Sequence, residues 1–95
     1  MTGQLPAEEY RGPATLYLGE TATTVHVRLS AQFEPVEGRF RWAGRTRPDA
    51  ALLGTVRAGA REAVLQIGAV RVPVRLGDPD PWGGIRVTGT GKPPW

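Results

Sequence analysis

The sequence has no cysteine, so it can form neither a disulfide framework nor a thiolate metal site. It has a single histidine, His26, which rules out a metal site built on paired imidazoles, and no carboxylates stand at an informative ligand spacing around it. No metal is expected. No apolar stretch has the length of a signal segment or a membrane span, which makes the cytoplasm the simplest location and a membrane partner unexpected. Nucleophile elbows, zinc-binding helices and dinucleotide fingerprints are absent. The Gly-Thr-Gly-Lys run at 89–92 lacks the full phosphate-loop pattern and is followed by two prolines, so no cofactor is expected. Lysine is nearly missing as well: Lys92 stands alone beside eleven arginines. Those arginines fall about one to a strand, alternating with apolar residues. A nucleic-acid footprint needs them gathered on one face, so nucleic acid is not an expected partner.

What the sequence does have is alternation. Val25, Val27, Leu29 and Ala31 fall on one face of an extended segment, and Thr24, His26, Arg28 and Ser30 on the other. Val70, Val72, Val74 and Leu76 repeat the pattern, as do Phe40, Trp42 and Gly44 against Arg39, Arg41 and Arg45. This is the period of a sheet with one buried face. Seven strands are predicted, at about 10–18, 23–34, 38–46, 53–58, 62–67, 70–76 and 85–90, with a helical turn possible only over 49–53. Pro and Gly punctuate the gaps, since Pro presets φ and Gly accepts positive φ. The fold expected is all-β: a small antiparallel meander of about seven strands, closed as a barrel or half-open barrel, with a sandwich as the alternative. Pro73, inside the sixth strand, implies a bulge or a free edge there. Residues 1–9 lack periodicity and are expected to be a flexible tail; residues 10–95 make one domain. So short a chain buries only about 60–65% of its unfolded surface. Burying the Pro73 edge in a homodimer would add to that.

Few residues can carry chemistry. His26 is the one side chain whose ordinary pKa suits proton transfer near neutrality, but the alternation puts it on the polar face, where an exposed strand histidine is the plainer reading. Asp78 and Asp80 could grip a cation or form an acid/base pair; each precedes a proline, which is ordinary turn chemistry. His26, Asp78 and Asp80 are the weak catalytic candidates. The aromatics suggest more. Phe40 and Trp42 lie on the apolar side of the third strand, and Trp82 is held in the rigid loop Asp78–Gly84. Such rings usually fill a barrel. The alternative is an apolar pocket walled by Phe40 and Trp42 with Trp82 as its lid; these three are the candidate ligand-binding residues.

The segments Y-R-G-P-A-T-L (10–16), F-E-P-V-E-G-R-F-R-W-A-G-R (33–45), D-P-D-P-W-G-G (78–84) and V-T-G-T-G-K-P-P (87–94) carry a resemblance across nearly the whole chain. Together they resemble an uncharacterised family of small actinobacterial domains, found alone or appended to the C-terminus of flavin-dependent monooxygenases. The resemblance implies an association with oxidative or secondary metabolism and supplies no catalytic residue set. Two functions are expected. The first is a barrel that binds an apolar pathway intermediate, with or without cofactor-free cyclisation or isomerisation, for which a shaped dry pocket suffices. The second is a non-catalytic module that docks on an oxygenase or on itself.

Overall fold

The computed structural model describes residues 9–95. The tail expected over 1–9 thus lies outside the described residues, apart from Glu9, which opens the first strand. Six strands and one helix follow in the order β1 (Glu9–Leu18), β2 (Thr21–Glu34), β3 (Arg39–Thr46), α1 (Ala50–Arg57), β4 (Glu62–Ile67), β5 (Val70–Pro79) and β6 (Ile85–Thr90). All neighbours pair antiparallel, and the strand order β1-β2-β3-β6-β5-β4 closes into a barrel through three residue pairs between β1 and β4. The all-β barrel expected from the alternation is therefore the fold, with closure by one strand fewer.

The strand expected at 53–58 is a helix instead. Asp49, extended and just past Pro48, accepts the Leu52 N–H on its carboxylate at 2.9 Å, and so caps the first turn. Leu52 and Val56, four residues apart, share one face and are fully buried. Burying that pair on the barrel needs a helical period, and this overrides the β-branched residues Thr55 and Val56. The helix also breaks the meander. It carries the chain across the barrel end, so that β3 pairs with β6 rather than β4, and two three-stranded meanders close on each other.

The core is the inward side of the alternation. Leu16, Val25, Val27, Leu29, Trp42, Leu65, Val74, Leu76, Ile85 and Val87 are all buried; Phe40 and Val72, expected among them, are half-buried. Two glycines let the strands close tightly. A Cβ on Gly44 would lie 1.8 Å from the Arg28 carbonyl oxygen, and one on Gly89 would lie 2.1 Å from the Trp42 ring. Trp42 and Gly89 face each other across β3 and β6, so the indole occupies the volume that Gly89 leaves empty. The Pro73 expectation is met as well. β5 pairs with β6 only from Arg75 onward, and the register slips between Leu76 and Pro79. Pro73 thus lies where β5 is bonded on the β4 side alone.

Candidate functional site

Both ends of the barrel are filled by the chain itself. At the end where β3 finishes, Leu52 and Val56 of α1 pack into the core. At the other end Trp42 meets the Trp95 ring edge-on at 5.9 Å, and Trp95 stacks on Tyr10 at 6.3 Å. Such contacts stabilise aromatic pairs beyond the area they bury. Trp42 is only 2% exposed. Its indole Nε1 has no acceptor among the described residues, a cost of about 1–3 kcal/mol that its packing offsets.

Trp82 lies in a different environment. It is 80% exposed in the turn between β5 and β6. Asp80 builds that turn: its Oδ1 accepts the Trp82 and Gly84 N–H groups, each at 2.9 Å, and its Oδ2 accepts from Arg45 at 3.0 Å. The Gly84 N–H first, with the Trp82 N–H and Arg45 behind it, holds the Asp80 carboxyl below the usual carboxylate range, against the opposing pull of burial. The turn is thereby fastened to the last residues of β3. Phe40 stands at the first residues of the same strand, edge-on to Phe33 at 5.3 Å. The expected lid over a pocket walled by Phe40 and Trp42 is not assembled: the three rings lie, respectively, outside one end of β3, at its other end, and inside the core.

The catalytic candidates do not converge either. Asp78 pairs with Arg61 at 3.3 Å, and Asp80 is engaged in its turn. His26 is exposed on the outer face of β2, opposite Pro13 of β1. Among the described residues, no group of three His, Asp or Glu side chains could hold a metal.

The outer wall holds what the sequence reading missed. Residue pairs across the sheet run Arg11 to Arg28, Arg28 to Arg45, and Arg45 to Arg86. Residues paired in this way project from the same face, so four exposed arginines form one row across β1, β2, β3 and β6. Asp80, on Arg45, is the one carboxylate bonded to the row among the described residues. Arg75 of β5 flanks its end, since Arg75 pairs with Thr88, the outward residue next to Arg86. Beside it a groove of about 1210 Å³ opens, lined by Ser30, Arg41, Pro73, Arg75, Arg86 and Thr88 among others. Trp42 also borders this groove, and Phe40 and Trp82 do not. Arg41 is taken up by Glu37, at 2.7 Å. One arginine per strand looks scattered along the chain; strand register is what aligns them, and only the spacing between turns could have hinted at it.

Comparison with known proteins places the chain. Residues 7–95 match the family described as "Domain of unknown function (DUF4873)". Two similar proteins are "Uncharacterized protein Rv0943c" of Mycobacterium tuberculosis (strain ATCC 25618 / H37Rv) and "Uncharacterized protein Mb0968c" of Mycobacterium bovis. Each is 36% identical over 88 residues, which is 93% of this chain and 25% of the relative. The chain thus spans about a quarter of the length of these relatives. No solved structure matches it.

Proposed function

Since the chain belongs to the DUF4873 family, we propose that it acts as a non-catalytic interaction module that works through its outer β face. The observation that carries this reading is the closed interior, with α1 at one end and Trp42, Trp95 and Tyr10 at the other. A barrel that holds an apolar intermediate keeps one mouth open. The groove on the wall is instead open to solvent and of mixed lining, with Trp42, Val64 and Val74 beside Arg75, Arg86 and Thr88, so a substrate there would keep much of its contact with water. Docking on a flavin-dependent monooxygenase, the partner implied by the family resemblance, is one form of the reading. The length of the mycobacterial relatives supports a role as one part of a larger protein.

Methyl NMR tests it. With a neutral apolar probe such as N-phenyl-1-naphthylamine, the methyls of Leu16, Val27 and Leu65 should not move. A saturable shift of those signals would restore the ligand-binding reading. Self-association is the second form, favoured by the β5 edge left unpaired before Arg75. If that edge is the interface of a homodimer, Pro73→Val, which adds an N–H donor there, should shift sedimentation further toward dimer.

A further inference from the structure

The row Arg11, Arg28, Arg45 and Arg86 is a costly arrangement. Like charges directly opposite each other on neighbouring strands destabilise a sheet. Elsewhere Arg71 lies on Gln66 and the Tyr17 ring, Glu37 takes up Arg39 and Arg41, and Asp78 takes up Arg61. Along the row a single carboxylate, Asp80, does so, and it is also committed to the turn that presents the exposed Trp82.

Resting on the reading above, we propose that this row is the docking surface for a flexible, acidic polypeptide segment that wraps the barrel wall, with Trp82 at the rim as an apolar anchor. Three features select that occupant. Arginine forks bind carboxylates in bidentate geometry, and Arg with Trp is the composition of protein-binding hot spots. The row crosses four strands and ends at Arg86, which lines the groove beside it. A disordered segment can follow so uneven a surface and order on binding. Strands lie about 4.8 Å apart, so the row spans about 14 Å at the backbone and more at the fanned guanidinium heads; an extended segment of about five to seven residues covers that. Single-stranded nucleic acid, the rival polyanion, needs rings among the cations on which bases can stack. The outward neighbours of the row are Glu9, Ser30, Ala43 and Thr88 on one side and Pro13, His26 and, just past β3, Arg47 on the other. His26 is the one aromatic ring among them, and Trp82 stands in the turn beyond the row rather than between its arginines. Tyr17 is covered by Arg71, at 4.7 Å.

The test uses the whole chain, ¹⁵N-labelled, with two probes: a deca-glutamate peptide and a deca-thymidylate. Deca-glutamate should move the amides of Arg28, Arg45 and Arg86 saturably. Its affinity should fall about tenfold in the double variant Arg28→Gln/Arg86→Gln and by less than about threefold in Arg57→Gln/Lys92→Gln, which removes equal charge away from the row. Deca-thymidylate should bind about tenfold more weakly than the peptide. Absence of a saturable shift, or equal weakening by both double variants, overturns the proposal. Thymidylate binding as tight as the peptide reassigns the row to nucleic acid. Failure of the interaction-module reading would register separately, in the interior methyls.

Discussion

Trp42 and Trp82 are chemically identical and sit at opposite extremes of this domain. Trp42 is on the inward side of β3, over Gly89 and against Trp95. Trp82 is in a turn fastened to the far end of the same strand by Asp80, with its ring in solvent. The contrast extends along the whole of β3. Its inner residues fill the core, and its outer residues, Arg41 and Arg45, belong to a charged wall. In a barrel this small the inside is used up by packing, so the side chains free to meet a partner are on the outside.

The sharpest way to break that comparison is to truncate both rings. Trp42→Ala should cost about 3–5 kcal/mol, the range for a large buried aromatic, measured by chemical denaturation; Trp42→Phe should cost less, since it keeps a ring and removes the orphan N–H. Trp82→Ala should change stability by no more than about 0.5 kcal/mol. Equal losses at the two sites would mean that the inside and outside of the barrel are not divided as described. Next in size is the helix that closes the barrel end. Asp49→Ala should cost about 1 kcal/mol through the lost N-cap, with the acceptor of the Leu52 N–H gone.

Smaller still is the acid response of the outer turn. The folded-state pKa of Asp80 is lowered, so its contribution is present above the ordinary carboxylate range, near pH 4, and is lost as pH falls through the lower folded value. Melting temperature in the wild type should therefore fall more steeply below about pH 4 than in Asp80→Asn, and the two curves should run parallel above about pH 5. Parallel curves throughout would remove Asp80 as the clasp between β3 and the turn.

Much of the inner face was legible in the sequence, because burial writes itself as period two. Val25, Val27 and Leu29 or Val74 and Leu76 could be assigned by counting. The helix at 50–57 was legible in principle, from Asp49 as a cap and Leu52 and Val56 at helical spacing, but Val56 and Thr55 read equally well as strand residues. The candidate site was not legible. Whether Arg11, Arg28, Arg45 and Arg86 stand in a row depends on four strand registers and on β3 pairing with β6 across the helix, and no local pattern encodes that long-range pairing. Trp82 misled for a related reason: prolines signal a rigid loop, but the direction of the ring is set by which N–H groups Asp80 accepts.

The central claim is that the outer row, proposed as a docking surface, is a cluster of like charges with one bonded carboxylate, Asp80, while the interior serves stability. The most direct measurement is the melting temperature of the wild type and of Arg28→Gln/Arg86→Gln as salt rises from about 20 to about 500 mM, a range over which the screening length drops well below the span of the row. The wild type should gain stability with salt, and the double variant should start higher at low salt and gain less, because relief of cross-strand repulsion has already been achieved by substitution. A wild type indifferent to salt, or a double variant less stable than the wild type at low salt, would contradict the account.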